Sequence, residues 1–188
     1  MNPGNSESPR PNAPRHLPRV LVVDPIKRNL AVLVRRLGEA GYLVTAAESG
    51  GAAIAELHRQ PVDLVLAELI MRPMSGAELA RVIRGVAKWR DLPVMLITGK
   101  SKPDSAVQAY EAGADDVILK PFHFEVLLAR IERRIARAIS VQTLRDDNAT
   151  LDARVVTRAI ELGDMRERWL ASEAERRRLE YLLGPRTT

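Results

Sequence analysis

The chain has no cysteine, which removes disulfides and thiolate metal sites from consideration and fits a reducing compartment. Aromatic residues make up only 4% of the 188, so a core has to be assembled from Leu, Val, Ile and Ala, which the 46% hydrophobic content supplies. No apolar run approaches the ~18 residues of a membrane span, and the first twenty residues lack the apolar centre of a signal peptide. These absences point to a cytoplasmic protein without membrane contact. A strong field of one sign is missing too. The net charge is +5, yet residues 19–125 carry 14 basic and 13 acidic side chains, and residues 126–188 carry 13 and 10. Neither region is built to neutralise phosphates, which disfavours nucleic acid as a partner. His16, His58 and His123 have no acids or further histidines at ligand spacing and compose no metal site.

Proline is unevenly placed. Pro3, Pro9, Pro11, Pro14 and Pro18 crowd residues 1–18 among Asn, Ser, Gly and Arg, a composition that predicts a disordered leader. From Arg19 onward, short apolar runs at 19–23, 42–46, 63–67, 93–98 and 115–119 alternate with helical patterns at 26–39, 50–59, 76–87 and 103–112. Leu30, Leu33, Val34 and Leu37 trace one buried helix face, and Gly38, Gly41, Gly50, Gly76 and Gly113 mark element ends. Strands separated by helices predict right-handed βαβ units and an α/β fold, a five-stranded parallel sheet covered on both faces.

From Phe124 to Leu183 there is no proline and one glycine, Gly163. A helical seam runs through Leu144, Asn148, Leu151, Val155, Arg158, Leu162, Met165, Trp169, Ser172, Arg176, Leu179 and Leu183 in steps of four and three. Leu128, Ile131 and Ile135 follow another register, which implies a stutter near 139–146. A continuous helix here reaches on the order of 90 Å and needs a partner for its stripe. The expectation is a parallel two-stranded coiled coil over 141–183, with residues 184–188 a disordered end. The alternative is a tail that folds back or frays after Gly163. Arg176-Arg177-Arg178 lies between Glu173, Glu175 and Glu180 and reads as a solvated face rather than a DNA-reading segment.

Three charged side chains stand where apolar runs end: Asp24 after Val20-Leu21-Val22-Val23, Glu68 after Leu64-Val65-Leu66-Ala67, and Lys120 after Val117-Ile118-Leu119. In a parallel sheet all three project at one carboxyl edge, where open α/β folds place their chemistry. Thr98 closes Pro93-Val94-Met95-Leu96-Ile97 at the same edge. With the string Ala112-Gly113-Ala114-Asp115-Asp116-Val117-Ile118-Leu119-Lys120-Pro121-Phe122, these residues resemble the receiver domain of two-component response regulators over residues 19 to about 140. The resemblance implies the flavodoxin-like strand order 2-1-3-4-5. It also implies roles: two adjacent acids and an acceptor Asp hold magnesium, a histidine kinase phosphorylates that Asp, and a Lys and a Ser/Thr contact the phosphoryl oxygens. Asp24 stands as the first acid, Thr98 as the switch hydroxyl and Lys120 as the cation.

Pro25 occupies the second acidic position and Glu68 the phosphoacceptor position, and Val117 replaces an aromatic that many members carry. The edge charge falls from −2 in the intact pattern to −1 here. Magnesium is expected to bind weakly at Asp24, Glu68 and Ile70 or not at all, so no cofactor is expected. The longer Glu68 side chain sets either an active-like state or an inert scaffold. The expected function is a non-enzymatic signalling module, a pseudo-receiver over 19–140 that homodimerises through its tail. It would bind a protein partner, a histidine kinase or an effector, through the tail and the 103–140 face. The alternatives are a receiver still phosphorylated by a histidine kinase, and a regulator whose basic tail binds nucleic acid. Leu151-Asp152-Ala153-Arg154-Val155 also resembles signalling linkers placed ahead of catalytic domains, with too few residues after it to hold one.

Overall fold

The computed structural model describes residues 17–99 and 103–183, with side chains for 17–99 and 106–181. Most of the proline-rich leader, residues 100–102 and the end segment 184–188 lie outside those residues. Five strands are present: β1 (Arg19–Val23), β2 (Leu43–Ala47), β3 (Leu64–Glu68), β4 (Val94–Thr98) and β5 (Asp116–Leu119). Between them run α1 (Lys27–Glu39), α2 (Gly50–Arg59), α3 (Gly76–Gly85) and α4 (Pro103–Glu111), and α5 (Phe124–Leu183) follows. All strand pairs are parallel, in the order β2-β1-β3-β4-β5.

Both faces of the sheet are covered, which explains strands that read as unbroken apolar runs instead of alternating ones. Val20, Val22, Leu64, Leu66, Met95, Ile97 and Ile118 point to one side, where Leu30, Leu33 and Leu37 of α1 and Leu127, Ile131 and Ile135 of α5 pack on them. The alternate residues, among them Leu21, Val23, Val65, Ala67 and Leu96, meet α2 and α3 through Ala53, Leu57, Leu79 and Ile83. Burying each Leu, Ile or Val side chain stabilises by about 1.5–3 kcal/mol, so these two layers are the main source of stability.

Element ends shift by one or two residues from the sequence reading, for local reasons. Gly41 has φ 91°, and Tyr42 donates its amide to the Leu37 carbonyl at 3.1 Å, so residue 42 completes the α1 terminus and β2 begins at Leu43. Gly113, with φ 94°, and the Ala114 amide on the Ala109 carbonyl close α4 in the same way. Helix α3 stops at Gly85 because Val86 turns to extended backbone before the short 3₁₀ turn at Ala87–Trp89.

The chain divides into two compact units, the second beginning at Ile139. In the second unit α5 is helical through Gly163, so the fraying considered there does not occur among the described residues. A Cβ at Gly163 would meet nothing within 4 Å, as on an open helix surface. The seam is exposed: Leu144, Leu151, Val155, Leu162, Met165, Trp169 and Leu179 are each 52–65% accessible. The Leu183 side chain lies outside the described ones. Among the described residues no helix is long and apolar enough to cross a membrane.

Candidate functional site

Parallel packing brings the ends of β1, β3, β4 and β5 to one edge. Glu68 and Thr98 are the last residues of β3 and β4, and Asp24 and Lys120 directly follow β1 and β5. Register alone explains the cluster: Val23 sits beside Ala67, and Thr98 beside Leu119. The Asp24 amide donates to the Ala47 carbonyl at 3.2 Å, and the Lys120 amide to the Thr98 carbonyl at 2.7 Å, so each chain exit is fixed by backbone.

Asp24 is 2% exposed, and its Oδ1 accepts the Ile26 amide at 2.8 Å. Glu68 Oε1 accepts the Ile70 amide at 3.3 Å. The cation divides unequally between the two acids. Lys120 Nζ donates to Glu68 Oε2 at 2.7 Å and stands 3.8 Å from Asp24 Oδ2. The Glu68 and Asp24 side chains are 11% and 3% exposed, against 32% for Lys120, so the pair is largely shielded from water and charge-assisted. Thr98 is fully buried at this edge. Pro25 contributes neither a carboxylate nor an amide proton. Val117 is buried in the same core layer as Ala109 of α4. Among the described residues, no three His, Asp or Glu side chains group closely enough to hold a metal ion.

The approach of α3 to the edge depends on Gly76. A Cβ there would lie 2.5 Å from the Glu68 carbonyl oxygen and 3.0 Å from Leu69 Cα, so only glycine lets the helix start beside the strand that carries Glu68. The start is secured by a capping box. Ser75 Oγ accepts the Glu78 amide at 3.2 Å and Glu78 Oε2 accepts the Ser75 amide at 2.8 Å, which holds the Glu78 carboxyl below its ordinary range. The Ser-x-x-Glu spacing was the available signal for it.

Two further clusters escaped the sequence reading. Arg84 of α3 donates to the carbonyls of Gly113, Arg90 and Leu92 and to Asp115 Oδ2 at 2.7–3.1 Å, tying the entries to β4 and β5 together. Asp116 of β5 is 7% exposed and meets Arg130 at 3.2 Å and Arg134 at 3.6 Å, both from α5. Arg36 of α1 lies 4.0 Å over the Phe124 ring. His58 packs edge-on against Trp89 with ring centroids 4.6 Å apart.

Residues 20–132 match the family model of the response regulator receiver domain. The chain belongs to that family. This receiver is similar to a probable cyclic di-GMP phosphodiesterase of Vibrio cholerae, 34% identical over 161 residues, which covers 84% of this chain and 36% of that protein. It is 30% identical over 120 residues to the chemotaxis protein CheY of Pseudomonas aeruginosa, covering 63% of this chain and 97% of that one. Among solved structures it resembles the signal receiver domain of a histidine kinase from Syntrophus aciditrophicus, 31% identical with a TM-score of 0.60 over 63% of this chain and 90% of that one. The chain spans about one third to two thirds of the length of the larger relatives that it matches.

Proposed function

We propose that the chain is a non-enzymatic pseudo-receiver whose acidic edge is held in one setting by its own ion pair. Residues 19–140 form the receiver part, in the cytoplasm, and 141–183 a tail through which two copies associate. The observation that carries this reading is the 2.7 Å contact between Lys120 Nζ and Glu68 Oε2. The cation that would meet an incoming phosphoryl oxygen already has a carboxylate partner. The donor set does not suit magnesium. A hard cation takes about six oxygens, and here one acid is replaced by Pro25 while a second is engaged by an ammonium group. The extra methylene of Glu68 displaces its oxygens by about one C–C bond from the acceptor position, enough to spoil in-line attack.

Exposed apolar residues along 103–140, namely Val107, Tyr110, Leu119 and Val126, favour that face as the place where a protein partner docks. The partner class is a histidine kinase or an effector. The tail takes part in this reading because the likeness to the phosphodiesterase relative covers 84% of the chain, more than residues 1–132 can supply, and so runs into α5 past the receiver match.

The test is incubation of the purified chain with acetyl phosphate and magnesium, followed by intact mass. No phosphorylated species is expected. A base-labile adduct on Glu68 would overturn the fixed-setting reading and favour a receiver still under kinase control. Light scattering of the full chain should give twice the monomer mass, and a monomer at all concentrations would remove the tail from the proposal.

A further inference from the structure

We infer that the partner of the tail is a second copy of this chain lying antiparallel to the first over the full seam, an inference that rests on the dimer proposed above. The seam spacing alone predicts the opposite, parallel arrangement. The reason for the antiparallel one is the charge on the two shoulders of the stripe. Arg154, Glu161, Arg168 and Glu175 recur every seven residues on one shoulder, and the other carries Asp152, Arg166, Glu173 and Glu180, with the uncharged Ala159 between the first two. Among the described residues, the four on the first shoulder make no ion pair within their own helix, so their charges are available to a partner.

In a parallel pair in register, each shoulder faces the opposite shoulder of the second copy, five residues on. Glu161 then meets Arg166 and Arg168 meets Glu173, but Asp147 meets Asp152 and Glu175 meets Glu180, so attraction and repulsion cancel. Arg158 and Arg176, both seam residues, would each face their own copies inside the stripe, where like charges are least tolerable.

In an antiparallel pair each shoulder faces itself. With the seams fully overlapped, Arg154 meets Glu175 of the second copy, Glu161 meets Arg168, and Arg145 meets Glu180. Only Asp152 and Glu173 repel, and Glu173 is already held by Arg176 at 2.5 Å and Arg177 at 4.0 Å on its own helix. Arg158 falls opposite Trp169, whose exposed indole suits a guanidinium, and Arg176 falls opposite Leu151. Asn148 is the one seam residue better served by a parallel pair, since two asparagines can hydrogen-bond across it. Antiparallel overlap sets it against Leu179 near the open end of the stripe. One such layer is outweighed by two arginine layers and the ion-pair count.

Because the chain has no cysteine, introduced thiols report orientation cleanly. Full-length chains carrying Asn148→Cys or Leu179→Cys are oxidised in a glutathione buffer, separately and after mixing, and read on non-reducing gels. Antiparallel packing predicts disulfide dimers mainly in the mixture. Strong cross-linking of each single variant with itself, or none in any sample while light scattering still shows a dimer, would overturn the orientation and leave the dimer standing. A monomer by light scattering would remove both. Arg154→Glu supplies a second readout. It should weaken association on the order of tenfold when it faces Glu175, and an unchanged dissociation constant, as expected where it faces Ala159 in a parallel pair, counts against the proposal.

Discussion

A chain carrying Glu68→Asp and Pro25→Asp together is expected to accept a phosphoryl group from acetyl phosphate in the presence of magnesium, with labelling on the order of 100-fold above the parent chain. The size follows from geometry. Misplacing a reacting atom by about 1 Å can cost on the order of 100-fold, and Glu68 differs from aspartate by one methylene. Neither change suffices alone. Glu68→Asp shortens the acceptor but leaves the metal one carboxylate short, and Pro25→Asp restores the ligand while Lys120 remains 2.7 Å from the longer glutamate. The shorter aspartate also loosens that contact, which frees Lys120 for the phosphoryl oxygens. The two substitutions should therefore act more than additively, as neighbours sharing one site do. Pro25 is exposed between β1 and α1, so an aspartate there requires no repacking. If the double variant folds, as shown by an unchanged far-UV spectrum, and takes up no more label than the parent, the losses at 25 and 68 are not what separates this edge from a working switch.

The sheet was legible because its strands are unbroken apolar runs and its edge residues stand at the ends of those runs. Asp24, Glu68, Thr98 and Lys120 needed only the parallel arrangement to be brought together. What could not be read was how Lys120 divides itself between two acids. Contacts of 2.7 Å to Glu68 and 3.8 Å to Asp24 are set by side-chain rotamers and by the Ile26 and Ile70 amides that hold the carboxylates. Arg84 and Asp116 were passed over for a related reason. Arg84 reaches Asp115, 31 positions away, and Asp116 reaches α5 14 positions on, so no local spacing announces either pair. Two of the element ends that moved did so at Gly41 and Gly113, where a positive φ adds a residue to the helix terminus that periodicity assigns elsewhere, and α3 ends early where Val86 turns extended.

Lys120→Met should destabilise the first unit by about 2–3 kcal/mol, near the lower edge of the ~3–5 kcal/mol range for breaking a buried ion pair, because the lysine is one third exposed while its acids are not. The cost lies in what is left behind: Asp24 and Glu68, both nearly inaccessible, would face each other without a cation. Hydrogen bonds from the Ile26 and Ile70 amides soften but do not replace that charge. Adding Glu68→Met should therefore return the share of the lost stability that belongs to Glu68, since replacing both members of a buried pair by apolar groups is close to neutral, while Asp24 stays without its cation. Urea unfolding followed by Trp89 fluorescence measures this in a Trp169→Phe background, where Trp89, 5% exposed, is the one indole and belongs to the first unit. The double-mutant cycle isolates the coupling between 68 and 120, expected at about 2 kcal/mol. A coupling near zero would mean that Lys120 is held by solvent and Asp24 rather than by Glu68, and the edge would then be an open acidic pocket able to admit a cation instead of a closed pair.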